Sequence, residues 1–288
     1  MVVSVACGIM LACVKCGGLC QADMNMPMEQ NPQVVRMPSV WLGRAKAALI
    51  QLGVSAVVAA AAAALVLWFW YPAPYRQISG GRDLFFLVVA VDVIIGPLLT
   101  FVAYDRRKPS AELTRDLAVI AALQLGALLY GLHTVAQARP AIIALEGDRL
   151  RVVRAIDLER ADFQKAPPGL QSLSWWGPMF VATRQPTAEE KLETIDRGLA
   201  GEDIGMRPEF WLPPALTAAA YARGAKPLTQ LTRLQPQRAS QVQDAVKRTG
   251  VALDELGYLP MLARSTDWSA LVHFKDGQIV GYLPVDGF

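Results

Sequence analysis

Three long apolar stretches occupy the first half of the chain, and they constrain its fold more than any other feature. They are separated by short polar links and cover residues 47–71, 84–104 and 117–135. A helix needs about 20 predominantly apolar residues to cross a bilayer. The sequence therefore predicts a membrane protein with three transmembrane α-helices, and buried helices of a soluble core are the alternative interpretation.

The second half of the chain has a different character. Residues 139–288 contain 18 Lys and Arg against 18 Asp and Glu, so the formal charge of +3 comes from the first 138 residues. Two pairs of β-rich runs meet at turns containing Gly147 and Gly277, and helix signals lie between the pairs. This pattern predicts an α+β extracytoplasmic domain with antiparallel hairpins. Because a neutral domain offers no basic surface, we expect no nucleic-acid partner.

Basic residues in the short flanks predict the orientation of the three stretches. The flank before the first stretch and the link between the second and third are rich in these residues: Arg36, Arg44, Lys46, Arg106, Arg107, Lys108 and Arg115. Cytoplasmic loops carry an excess of Lys and Arg. The rule places the N-terminus in the cytoplasm and residues 139–288 on the far side. The flank after the third stretch is also basic, but long translocated domains are largely exempt from the rule.

The first 36 residues contain all four cysteines, Cys7, Cys13, Cys16 and Cys20. A metal site, a lipid-attachment signal and a secretory signal are possible interpretations. The interpretation that we favour is a non-native or disordered extension, with the working chain starting at Met37 and a membrane domain over 37–138. A chain that starts there contains no cysteine, which rules out disulfides in the outer domain.

The second apolar stretch contains a carboxylate, Asp92. An aspartate at the centre of a spanning helix costs about 2.5–3.5 kcal/mol, so it usually faces a partner. Gly96 follows one turn later, and Pro97 cannot donate a backbone hydrogen bond. At 1.5 Å per residue, Gln124 and Tyr130 of the third stretch bracket the depth of Asp92. We expect an interhelical contact here; a packing joint, a site for another protein's membrane helix and a transport site all remain open.

Catalytic and ligand-binding patterns are not recognisable in the sequence. The two histidines, His133 and His273, lie in different segments, and there is no G-x-S-x-G or phosphate-loop motif. We therefore expect a protein that is not an enzyme, with no cofactor, metal or small-molecule substrate. Two aromatic clusters in the outer domain predict either a protein-contact surface or core filling, and they comprise Trp175, Trp176, Phe210 and Trp211.

Several ordered motifs together resemble a known family. They are Trp70-Tyr71-Pro72, Gly80-Gly81, VDVIIGPLLT (91–100), DLAVIAALQLGALLYG (116–131), Arg139-Pro140 and GLAGEDIGMRPEFWLP (198–213). Residues 40–288 are similar to the type IV pilin accessory proteins of the TfpX/TfpZ, FimB-like type, which have no counterpart to residues 1–36.

This resemblance implies a multi-pass protein of the bacterial inner membrane with a periplasmic C-terminal domain. It also implies a chaperone-like role in the stability, assembly or surface display of a type IV major pilin. The expected contacts are with the lipid bilayer and with the membrane helix and periplasmic head of that pilin. A membrane-tethered periplasmic sensor or scaffold that binds another partner is the alternative. The family supplies no catalytic residues to carry over.

Overall fold

The computed structural model describes residues 38–72, 75–78, 81–105, 108–263 and 268–288. The predictions for residues 1–36 and for a start at Met37 lie outside these residues. The chain divides into two compact units. The first, here called the helical unit, includes residues 38–63 and 85–133, and the second, the sheet unit, includes residues 64–84 and 134–288.

Long helices form where the apolar stretches were predicted. In chain order they are α1 (Pro38–Ala64), a π-helical continuation (Leu65–Trp70), the short α2 (Tyr75–Ile78), α3 (Gly81–Ala103) and α4 (Ser110–Ala138). In the described residues, 41–70 and 110–138 are long and apolar enough to cross a membrane, with mean hydropathies of 2.3 and 1.6. Helix α3 has 23 residues and continues through Pro97, and its described apolar part covers 93–103.

The sheet unit alternates strands and short helices. Its elements are β1 (Pro140–Glu146), β2 (Arg149–Arg154), β3 (Met179–Ala182), α5 (Glu190–Leu199), α6 (Pro214–Gly224), β4 (Lys226–Pro227), α7 (Leu228–Leu234), α8 (Ala239–Thr249), β5 (Leu256–Leu262), β6 (Trp268–His273) and β7 (Ile279–Leu283). Short 3₁₀ turns connect several of them, including Ala155–Asp157, Arg160–Lys165, Ile204–Met206 and Pro208–Phe210.

Both predicted hairpins are present, but the sheet is mixed rather than antiparallel. The strand order in the described residues is β3-β1-β2-β5-β6-β7, with β4 paired to β5. The β1–β2 and β6–β7 pairs are antiparallel, whereas β3 runs parallel to β1 and β5 parallel to β2. Strand β5 joins the two hairpins and was not predicted, because its Gly257 and Pro260 are residues that disfavour strands.

The segment after α1 is built into the core of the sheet unit. Tyr75 is 3% exposed and belongs to a core cluster with Ile143 and Leu259. Its hydroxyl lies 2.5 Å from that of Tyr282, and the two rings meet edge to face at 5.6 Å. Burial raises the pKa of Tyr75 well above the ordinary value and also raises the pKa of Tyr282. Tyr75 is thus an integral part of this unit.

Substitution of the two turn glycines tests how the β6–β7 turn packs. Gly147 and Gly277 both have a positive φ, of 65° and 67°. A Cβ at 147 would meet open space, whereas one at 277 would collide with the backbone carbonyl of Ala218 in α6. We expect Gly147→Ala to lower the free energy of unfolding by about 1 kcal/mol, the cost of a left-handed conformation. We expect Gly277→Ala to lower it by about 2–4 kcal/mol, because overpacking adds to that cost.

Denaturant unfolding of the purified full chain measures both values. Equal losses for the two variants would contradict the packing of the β6–β7 turn against α6.

Candidate functional site

A polar contact joins the helices of the helical unit. The Gln51 amide of α1 donates a 2.6 Å hydrogen bond to the Gln124 carbonyl oxygen of α4. On α3, Gly96 lies so close to Gln124 that any side chain at 96 would collide with its amide. Thr100, one turn beyond Gly96, is fully buried. We call Gln51, Gly96, Thr100 and Gln124 the helix joint.

The helix joint contains two of the five intramembrane residues predicted from the sequence. Gly96 and Gln124 are brought together, and Pro97 is half-buried on the following position of α3. Tyr130 is 75% exposed on α4. The backbone of Asp92 lies in α3, and its side chain is outside the described residues. Gln51 was missed, although a polar side chain in the first apolar stretch was a signal that could have identified it.

Gly96→Val is a direct test of the helix joint. The added side chain must displace the Gln124 amide and break its bond to Gln51, so we expect a loss of about 1–3 kcal/mol of stability. Gly126→Val on α4 is the matched control, because a Cβ there meets open space. Thermal unfolding of the full chain in detergent, followed by helical circular dichroism, measures both. A Gly126→Val loss as large as that of Gly96→Val would remove the basis for the joint.

Ion pairs lie at the ends of the same helices. Arg44 is 3.4 Å from Asp105, and Lys108 is 2.7 Å from Asp116. These two cations contributed to the predicted cytoplasmic flanks, and each has an acidic partner in the folded chain. The positive-inside rule counts Lys and Arg rather than net charge, so these pairs leave the predicted orientation as it was.

The four predicted aromatic residues of the sheet unit do not form one surface. Phe210 and Trp211 are 0% and 3% exposed. The Trp211 indole N–H donates a 3.0 Å hydrogen bond to the Gly205 carbonyl, and Phe163 meets its ring edge to face. The contact-surface interpretation therefore fails for these two residues, because core packing and a buried hydrogen bond fully cover them. Core filling is the interpretation that the structure shows for them.

The other two aromatic residues remain accessible. Trp175 and Trp176 are 64% and 68% exposed. Trp176 packs edge to face on Phe69 at 4.6 Å, and the Gly177 N–H donates to the Phe69 carbonyl at 2.9 Å. We call Phe69, Trp175 and Trp176 the aromatic patch. It combines the end of the first apolar helix with a loop that lies about one hundred residues later in the chain.

The stretch 198–213, which carried part of the family resemblance, folds around a buried carboxylate. Glu146 at the end of β1 is 7% exposed. It accepts a 3.0 Å hydrogen bond from the Gly205 N–H and lies 3.1 Å from Arg151 Nε, which also pairs with Asp203. A Cβ at 205 would come within 2.6 Å of Glu146 Oε1. We call Glu146, Arg151, Asp203 and Gly205 the polar clamp, and its geometry is that of a structural joint.

A half-buried ion pair lies at the start of α5. The Arg184 guanidinium donates to both Glu190 carboxylate oxygens at 2.7 and 2.8 Å, and the Thr187 N–H donates to one of them. These hydrogen bonds stabilise the charged carboxylate and lower the pKa of Glu190 to about 2, and those from Arg184 have the largest effect. Thr187 and Glu190 have the spacing of a capping box, and the bond from the Thr187 N–H to the Glu190 carboxylate is the backbone half of that motif. Among the described residues no group of His, Cys, Asp and Glu is arranged to hold a metal ion.

These features define a class of protein in which apolar helices are combined with an α/β domain. Long apolar helices precede a mixed α/β sheet unit, the buried polar groups serve as joints between elements, and the aromatic patch is exposed. The chain belongs to the family of FimB fimbrial assembly proteins, which confirms the resemblance drawn from the sequence. The FimB family model, described as "Fimbrial assembly protein FimB", matches residues 39–80.

Curated relatives from Dichelobacter nodosus extend this match over most of the chain. The fimbrial assembly proteins of serogroups I and E1 are each 32% identical over 251 residues, covering 86% of this chain and 97% of the relative. The protein of serogroups C1 and C2 is 38% identical over 118 residues, covering 41% of this chain and 90% of the relative. No solved structure matches the chain.

Proposed function

We propose that this protein is an inner-membrane accessory factor for type IV pili that supports the major pilin by binding and not by catalysis. The observation that carries the proposal is the similarity to fimbrial assembly proteins over 97% of their length. A match over 86% of this chain includes most of the apolar helices and most of the sheet unit, which supports a common role. The relatives are also named by serogroup, which favours a factor matched to one pilin variant.

The helices support a membrane location. Only 17% of an 18-residue apolar segment within 41–70, and 17% of one within 110–138, is buried within the protein. Most of their apolar surface must therefore be covered by lipid or by other helices. Helix α3, with 23 residues, is about 34 Å long and exceeds the roughly 30 Å of a bilayer core. We infer three spans, with the N-terminus in the cytoplasm and the sheet unit in the periplasm.

The same helices offer a surface to a pilin helix in the bilayer. Membrane helices associate through small residues that permit close backbone approach. Gly53 on α1 and Gly126 on α4 both have open space where a side chain would stand. A single apolar pilin helix can pack on such faces, and the pilin head would then lie on the periplasmic side with the sheet unit. Asp92 is the position in α3 where we expect a polar contact to this partner or within the bundle.

Deletion of the gene with measurement of pilin tests the proposal. We expect cellular pilin and surface pili to fall to a small fraction of the wild-type level, and both to return on complementation. Asp92→Leu should preserve membrane insertion and reduce pilin support. Unchanged pilin and pili for every pilin allele would rule out the accessory role and favour a sensor or scaffold.

A further inference from the structure

The sheet unit contains a cleft that includes no residue of the helix joint or the polar clamp. Its volume is about 520 Å³, within the range of small-molecule sites. The polar side chains that line it are Gln137, Arg139, Arg160, Gln171 and Ser172, and Trp175 of the aromatic patch forms part of its wall. Gln137 and Arg139 place the cleft at the C-terminal end of α4, directly after the third apolar stretch.

The Arg139 guanidinium is a buried positive charge that has no carboxylate partner among the described residues. The residue is 8% exposed, and its terminal nitrogens donate to the carbonyls of Ala136 at 2.9 Å and Ser174 at 3.3 Å. Its guanidinium lies 5.2 Å from the Trp175 ring centre, and its Nε has no hydrogen-bond partner. Within the described part of the chain, no Asp or Glu forms an ion pair with it.

A buried arginine without an acidic partner favours the binding of an anion close to it. Burial lowers the pKa of Arg139 because its charged form loses hydration. The carbonyl of Ala136 at the end of α4 and that of Ser174 in a loop compensate only part of a full positive charge, and a buried charge without a counter-ion is costly. An anion in the cleft would recover that free energy without moving the arginine.

Arg160 adds a second, accessible cation to the same cleft. The residue is exposed, and no carboxylate is among the residues that the structure places in the lining. Of the acids close to it in the chain, Asp157 pairs with Arg154 at 2.6 Å and Asp162 with Lys165 at 2.7 Å, while Glu159 is exposed and lies outside the lining of the cleft. Two arginines with the neutral donors Gln171 and Ser172 form a set suited to phosphate oxygens, which guanidinium groups bind in a bidentate manner.

We propose that this cleft binds the phosphate of an anionic phospholipid headgroup. The choice of a lipid rests on the membrane topology proposed above, in which residues 137–139 emerge at headgroup depth. Trp175 in the wall agrees, because tryptophan is enriched at membrane interfaces. The apolar lining also agrees: Ile156 is 60% exposed, and Leu158 and Leu173 lie beside it. Such a headgroup would hold the base of the sheet unit at the membrane surface.

Lipid titration of the full chain in neutral detergent micelles tests this site. We expect phosphatidylglycerol to bind with higher affinity than phosphatidylcholine, read by native mass spectrometry and by a rise in the unfolding temperature. Arg160→Gln should weaken phosphatidylglycerol binding about tenfold, the effect of losing one charge-assisted hydrogen bond. Arg160 is exposed, so this variant should fold normally even if Arg139→Gln does not. Arg233→Gln, an exposed arginine outside the cleft, should bind like the wild type.

Each alternative result has a defined meaning. Equal affinity of wild type and Arg160→Gln, or equal affinity for the two lipids, would overturn the site. Inorganic phosphate that displaces phosphatidylglycerol at comparable concentration would overturn the lipid assignment in favour of a free anion. The assay contains no pilin, so its failure leaves the pilin-accessory role to be judged by gene deletion, and unchanged pilin after deletion leaves the cleft to be judged here.

Discussion

Replacing Tyr75 by alanine is expected to lower the free energy of unfolding of the sheet unit by about 3–5 kcal/mol, the usual cost of truncating a buried aromatic ring. Tyr75 is 3% exposed and packs in the cluster that contains Ile143 and Leu259. Its removal leaves a cavity and also leaves the Tyr282 hydroxyl, 2.5 Å away, without its partner. A loss of this size is a large fraction of the total stability of an ordinary domain.

Tyr75→Phe is the matched control for this prediction. It keeps the ring and removes only the hydroxyl, so we expect a loss of about 1 kcal/mol. Denaturant unfolding of the full chain, followed by near-ultraviolet circular dichroism, compares the two variants. If Tyr75→Ala were as stable as Tyr75→Phe, the link between α1 and α3 would be a surface connection and not part of the core. The predicted difference also implies that residues 139–288 alone are less stable than the same residues in the full chain.

Replacing Glu146 by alanine is expected to have an effect of similar size. Removing one partner of a buried ion pair costs about 3–5 kcal/mol because a buried charge is left uncompensated. Here Arg151, whose side chain is 17% exposed, would lose its 3.1 Å partner and retain only Asp203, so the loss should fall at the lower end of that range, and the Gly205 N–H would lose its acceptor. The stretch 198–213 would then lose its polar attachment to β1.

One further variant separates the charge of Glu146 from its hydrogen bonding, and a second variant is a surface control. Glu146→Gln keeps an acceptor for the Gly205 N–H and should cost less than Glu146→Ala. Asp244→Ala serves as the surface control, since Asp244 is 69% exposed and pairs with Lys247 at 3.9 Å; exposed pairs contribute at most about 1 kcal/mol. A Glu146→Ala loss no greater than that of Asp244→Ala would show that the clamp contributes little to the fold.

The variants that test stability are distinct from those that test function. Tyr75 and Glu146 lie in the interior of the sheet unit, so their substitution should reduce the amount of folded protein and affect pilin through that amount alone. Arg160 and Gly126 have accessible or open surroundings. Substitutions there should preserve the folded protein, and any loss of lipid or pilin binding can be assigned to the surface itself.

Much of the secondary structure could be predicted because its signals are local. The apolar stretches predicted the long helices, and Gly147 and Gly277 predicted the two hairpin turns. Strand β5 could not be predicted in the same way, since Gly257 and Pro260 weaken the local strand signal. It forms because its two edges are paired, with β6 on one side and with β2 and β4 on the other. Those pairings depend on residues far away in the chain.

The predicted sites show the same limit. Spacing along two helices was sufficient to place Gly96 and Gln124 at one depth, because helix rise is constant. Composition could not divide the aromatic clusters, in which Trp211 is buried and Trp176 is exposed. In the sequence Arg139 was a flanking positive charge and part of a family motif, and neither signal indicated that it is buried in a cleft with Arg160 and residues 171–173.

The sequence by itself determined the apolar helices, the two hairpins and the family, because each depends on patterns within short or continuous stretches of the chain. Only the tertiary structure decided which strands join the hairpins, that Tyr75 belongs to the core of the sheet unit, and which charges are buried. Burial and long-range pairing depend on segments separated by as many as 207 positions, as between Tyr75 and Tyr282. The local sequence around either tyrosine contains no signal of the other.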